Sequence, residues 1–115
     1  MSDSLIETDY GYDLIWADTE NYNCRIIVFN DPTNKIPIGF HKHIEKTWFV
    51  NNGNFRLKII ETHNGTLVEK DLKEGSVFHI PPLTPVGIEC LSAGASITQC
   101  ASGDPSEDFY QIIPN

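Results

Sequence analysis

His41 and His43 stand two residues apart, just ahead of the apolar run Trp48, Phe49 and Val50. Side chains two apart in an extended chain share one face, so these imidazoles can converge on a single ion. Imidazole suits zinc, nickel and iron. Two such ligands hold a metal weakly, because catalytic zinc sites generally combine three protein ligands with a water. Two further residues are candidates to complete a set. Glu45 follows His43 by two positions, and His79 lies in the later apolar run from Val77 to Ile80. Beside them, Lys46 brings the opposite chemistry, since an ammonium attracts a carboxylate or phosphate. His63 adjoins Asn64-Gly65 and reads as a loop histidine facing solvent.

The elements that must position these residues are strands. No long amphipathic helix is visible. Short apolar or alternating runs are punctuated by Gly, Pro, Asn and Asp at intervals of roughly 8 to 12 residues, the all-β pattern. It predicts strands at Asp13–Trp16, Tyr22–Phe29, Ile36–His43, Thr47–Val50, Phe55–Glu61, Leu67–Asp71, Val77–Ile80, Val86–Leu91 and Ser96–Ala101. Turns fall at Asp31-Pro32-Thr33-Asn34, Asn52-Gly53 and Asn64-Gly65. A hairpin at Asn52-Gly53 would pair Val50 with Phe55 and Trp48 with Leu57. Opposed residues share a face, which turns Trp48, Val50, Phe55, Leu57 and Ile59 inward and leaves Arg56 and Lys58 in solvent. The same parity carries Lys46 inward. His41 and His43 have the other parity, so both face inward only if the strand breaks near Ile44-Glu45. Beyond the polar stretch from Ser102, the residues Phe109, Tyr110, Ile112 and Ile113 are expected to dock back onto the sheet.

A chain of 115 residues is the size of one domain with a single core. Its net charge of -8 argues against nucleic acid or an anionic membrane as partner. No apolar run approaches the roughly 20 residues that a membrane helix needs. Met1 to Asp9 is polar and acidic, without the basic and apolar regions of a signal peptide, so a cytoplasmic location is expected. Cys24, Cys90 and Cys100 are scattered and show no Cys-x-x-Cys spacing. They read as reduced, buried, small hydrophobic residues rather than as redox or zinc groups. Asn64-Gly65-Thr66 matches a glycosylation sequon but reads as a turn.

The segment from Gly39 to Gly53 resembles the first conserved motif of the cupin superfamily: a glycine, His-x-His, a glutamate, an apolar strand and a closing glycine. The segment "GSVFHIPPLTPV" from Gly75 resembles the second: a glycine, a strand ending in Ile-Pro, a tight turn, then a histidine. A narrower resemblance, carried by "YGYDLIWA" and "FHKHIEKTWFV", is to small cupins related to the mannose-6-phosphate isomerase/guanylyltransferase cupin domain. The resemblance implies a single-domain, all-β, cupin-type antiparallel β-barrel (jelly roll) over residues 1–115, with a mouth for one small ligand. Cupins usually hold a divalent metal with two histidines and a glutamate from the first motif and a histidine from the second. His41 and His43 match. The glutamate position falls on Lys46, with Glu45 one residue earlier, and the last histidine position falls on Val86.

Two functions follow. In the first, the barrel binds a small polar ligand, a sugar or an anion, in a pocket of Lys46, Trp48, Val86 and Gln99 beside an incomplete metal site. In the second, it is a metal-dependent isomerase, lyase or dioxygenase using the rearranged set His41, His43, Glu45 and His79. Loss of two of the usual ligands favours the first, with zinc, nickel or iron held at partial occupancy. Lys46 is expected to lay its stem along the mouth and reach water with its ammonium, because burying an unpaired cation costs several kcal/mol. The cupin resemblance also implies a homodimer, with Trp16 and Tyr12 in its interface.

Overall fold

The computed structural model describes residues 4–112. Among these residues there are eleven strands: β1 (Leu5–Glu7), β2 (Gly11–Asp18), β3 (Asn23–Phe29), β4 (Lys35–His41), β5 (Lys46–Asn52), β6 (Phe55–Glu61), β7 (Thr66–Leu72), β8 (Val77–Ile80), β9 (Val86–Cys90), β10 (Ser96–Ala101) and β11 (Phe109–Gln111). They form two antiparallel sheets, one in the order β1-β2-β3-β10-β5-β8 and the other β11-β4-β9-β6-β7. This is the expected jelly roll. Alternate residues of the central strands turn toward the opposite sheet, and the two inner faces close on Phe29, Trp48, Val50, Phe55, Leu57, Ile88 and Ile97. Among the described residues no helix is long and apolar enough to cross a membrane.

The expected hairpin at Asn52-Gly53 does not form. β5 pairs with β10 and β8, whereas β6 pairs with β7 and β9. The turn therefore carries the chain from one sheet across to the other. The inward set survives because alternation along each strand, not pairing between the two, decides which side chains enter the core. Trp48, Val50, Phe55 and Leu57 are all buried, as is Lys46. The break near Ile44-Glu45 is present: β4 stops at His41 and β5 starts at Lys46. β1 and β11 were not among the predicted strands, being only three residues each. β11 is the docked tail, with Phe109 opposite His41 and Tyr110 opposite Phe40. Of the expected docking residues, Ile113 lies outside the described residues.

Gly53 makes the sheet-to-sheet step with φ of +87°, and a Cβ there would lie 2.3 Å from the Ala95 Cβ. Both the left-handed backbone and the contact oppose a side chain. Gly53→Ala is expected to destabilise the fold by about 2 kcal/mol, read as a lower midpoint in urea unfolding.

Candidate functional site

Strand register builds the site in two inward-facing rows across the six-stranded sheet. One row runs Asn23, Ala101, Lys46, Ile80; the next runs Arg25, Gln99, Trp48, Phe78. A third row, Ile27, Ile97, Val50, is wholly apolar. The interior thus grades from a polar end to a hydrocarbon core. From the facing sheet, β4 delivers His41 at its last residue, directly over Lys46.

Lys46 does not reach water. The residue is 6% exposed, and its Nζ donates to Nε2 of His41 at 3.2 Å. The same ammonium sits 4.8 Å from the centre of the Trp48 ring, a cation–π contact that partly replaces lost hydration. An ammonium can only donate, so His41 must present a lone pair at Nε2 and carry its proton on Nδ1. Nδ1 faces the Asp108 carbonyl at 3.2 Å, which accepts that proton's hydrogen bond. Burial, aided by the Lys46 charge, lowers the His41 pKa from 6.5 to about 4. The imidazole is therefore neutral at physiological pH, as the donor chain requires. Burial and then the Arg25 charge lower Lys46 from 10.5 to about 8. At neutral pH it remains an ammonium, and among the described residues no carboxylate bridges it.

Arg25, which the sequence reading did not single out, is the second buried cation. It is compensated: Nη1 lies 2.8 Å from the Asp13 carboxylate, and Nε donates to the Asn23 side-chain oxygen at 3.0 Å. Asp104 adds a longer contact at 3.7 Å. The signal was available, because Arg25 shares the strand parity of Ile27 and Phe29. Gln99 accepts from the Trp48 indole N–H at 2.7 Å and fixes the ring beneath Lys46. Val86 is buried in the apolar cluster, opposite Gly39 on one side and Ile59 on the other.

The C-terminal segment closes this end of the barrel. Besides its carbonyl on His41, Asp108 accepts from the His43 backbone N–H at 2.7 Å, a bond that holds its carboxyl below the usual range. Phe109 packs its ring 5.4 Å from that of His41. Gly39 makes room for it, since a Cβ there would stand 2.3 Å from the Phe109 ring.

His43 is exposed beyond the end of β4, so the two histidines share no face. Glu45 and His79 lie outside the barrel: both are more than half exposed, their side chains are 3.9 Å apart, and His79 bonds Thr47 at 3.0 Å. The reason is parity, for His79 aligns with Thr47 and Cys100 on the outer face. The four candidate metal ligands are thus not brought together. Among the described residues no three His, Cys, Asp or Glu side chains converge on a point. His41 spends its one free lone pair on an ammonium. As arranged, these residues do not fit a metal ion. Two hollows lie elsewhere, one on the outer face over Lys35–Ile38, Lys58 and Gly87–Glu89, the other lined by Ser4 and Ile15–Asp18.

No protein-family model matches the sequence, and none of the curated proteins does. Solved structures do match in shape. Oxalate decarboxylase from Bacillus subtilis superposes with a TM-score of 0.81 at 18% identity, over 96% of this chain and 30% of that one. The capsular polysaccharide assembling protein CapF from Staphylococcus aureus gives 0.79 at 16% identity, over 94% and 33%. KdgF from Halomonas sp. gives 0.72 at 17% identity, over 90% and 88%. The chain thus spans about a third of the first two proteins and most of the length of the third.

Replacing the cation at this position should raise metal affinity only modestly, because His41 and one new carboxylate make two ligands and His43 stays outside. Untagged protein incubated with zinc, nickel or iron is expected to retain well under one ion per chain by elemental analysis. Lys46→Glu is expected to retain more. Stoichiometric metal in the parent, lost in His41→Ala/His43→Ala, would contradict this account of the site.

Proposed function

The chain has the cupin fold, and within it we propose a binding protein for a small carboxylate-bearing anion held at Lys46. One observation carries the reading: a buried ammonium whose only polar side-chain partner among the described residues is a neutral imidazole. An isolated buried cation costs several kcal/mol, and the nearby Arg25 raises that cost further. An entering carboxylate would supply the missing counter-charge and give the ammonium a charged acceptor beside the neutral imidazole. In this reading Lys46 neutralises and orients the anion. His41 positions the ammonium, Trp48 offers its ring as a flat wall, and Gln99 holds that ring in place. The buried charged side chains among the described residues are Lys46 and Arg25 against Asp13, one positive charge in excess, although the chain carries a net charge of -8.

Entry requires displacement of the C-terminal segment, because Asp108 and Phe109 lie directly against His41. The ligand therefore competes with the chain's own closure, which favours an anion able to reward it with a strong ion pair. Oxalate, named in one structural neighbour, is a suitable first probe. A uronic acid joins the anionic and sugar chemistries in a second, and a neutral hexose is the control. The metal-dependent alternative would need His41 released from Lys46 and His43 turned inward, and nothing in the geometry favours that.

Calorimetric titration with oxalate and with a uronic acid is expected to show binding of at least one and none of the hexose. Lys46→Met is expected to weaken it at least tenfold, as loss of a buried charge pair does. The pH dependence has a definite sign. The cation is the binding form, so affinity should hold below about 8 and fall as the pH rises through the Lys46 pKa. Equal affinity in Lys46→Met and the parent would overturn the proposal.

A further inference from the structure

Inward residues of β3 and β10 build the site, and the outward residues between them place two thiols side by side. Cys24 and Cys100 are directly opposed across the β3–β10 ladder. Opposed residues share a face, with Cα atoms roughly 4.5–5.5 Å apart, inside the roughly 4.4–6.8 Å range that a disulfide spans. Both are free thiols, Cys24 buried and Cys100 exposed. Their outer row continues through Thr47 to His79, and His79 is engaged with Thr47. The sequence reading of all three cysteines as buried hydrophobic residues does not hold for Cys100.

We propose that Cys24 and Cys100 form an oxidisable pair that closes to a cross-strand disulfide when the protein meets a hydroperoxide. Cys100, open to solvent, reacts first: its sulfur attacks one peroxide oxygen, the O–O bond breaks, and the sulfenic acid forms as water (from hydrogen peroxide) or an alcohol (from an organic hydroperoxide) leaves. The Cys24 sulfur then attacks the Cys100 sulfur, its proton joins the departing hydroxyl, and water is released. The peroxide is the two-electron oxidant, and both thiols are oxidised to one disulfide. The two thiols sense each other in the reduced state. Burial first, then the hydrogen bond and charge of Cys100, push the Cys24 thiol up to about 11. Cys24 is thus a poor first nucleophile toward peroxide but is well placed to resolve its neighbour. Cys90 is the internal control. It is buried in the core, with its Sγ donating to the Ser92 carbonyl at 2.8 Å. The bond would tie together the neighbouring strands that carry Arg25 and Gln99 into the polar interior.

The test treats the intact protein with a few equivalents of hydrogen peroxide, blocks remaining thiols, and maps disulfides by mass spectrometry before and after dithiothreitol. The expected result is a monomer lighter by about 2 Da, one Cys24–Cys100 cross-linked peptide pair, Cys90 still alkylated, and full reversal by reductant. In Cys24→Ser, Cys100 is expected to be trapped as a sulfenic acid labelled by dimedone or to run on to the sulfinic acid. In Cys100→Ser, oxidation at matched peroxide should fall severalfold. If the parent yields the sulfinic acid as readily as Cys24→Ser does, or if its disulfides join two chains or involve Cys90, the proposal is overturned. The mapping of the parent decides the matter even if a variant folds poorly.

Discussion

An ammonium removed from water must be compensated, and the polar end of this barrel is arranged around that requirement at Lys46. Its compensation is indirect. The imidazole of His41 accepts one of its protons, and it can do so only as the Nδ1–H tautomer. That tautomer needs an acceptor at Nδ1, which is the Asp108 carbonyl. Asp108 is held there because β11 pairs with β4, and Phe109 fits because residue 39 is glycine. A chain of dependence thus runs from one buried charge to a C-terminal strand more than sixty residues away. The one carboxylate in that chain, Asp108, is engaged by the His43 backbone N–H and forms no ion pair with Lys46, which is why the interior is suited to receive an anion.

The contrast with Arg25 makes the point quantitative in kind. Two cations enter the same sheet face in adjacent rows, and one has a carboxylate at 2.8 Å while the other, among the described residues, has none. A purely structural cation is expected to look like Arg25, ion-paired and with its guanidinium hydrogen-bonded. Lys46 does not. Strain kept at one position while its neighbour is satisfied is the pattern of a site that retains a cost for binding.

Much of this was legible in the sequence. Turn residues and alternating runs placed the strands, and β6, β8 and β10 match their expected bounds to the residue. Alternation gave the inward set, Lys46 included. The same parity made an inward His41 and His43 depend on a break near Ile44-Glu45; the break is present and His41 turns inward, but His43 does not. What alternation cannot give is pairing. The Asn52-Gly53 turn serves a hairpin or a step between sheets equally well, and only the closure of the whole barrel selects the step. Residue spacing likewise put His43 beside His41, but the strand ends at His41, and past that point spacing has no face to define. The opposition of Cys24 to Cys100 depends on a pairing between the third and tenth strands that no local pattern encodes.

The most direct test of the central claim is the titration of the Lys46 ammonium, followed through its side-chain carbon and nitrogen resonances with and without oxalate. The account predicts a free-protein pKa of about 8, well below the ordinary 10.5, moving back up when the anion binds and supplies the absent counter-charge. A value at the ordinary lysine level would mean that the ammonium is solvated or already paired. A depressed value that oxalate leaves unchanged, under conditions where the anion binds, would place the ligand away from Lys46. Either result would contradict the account.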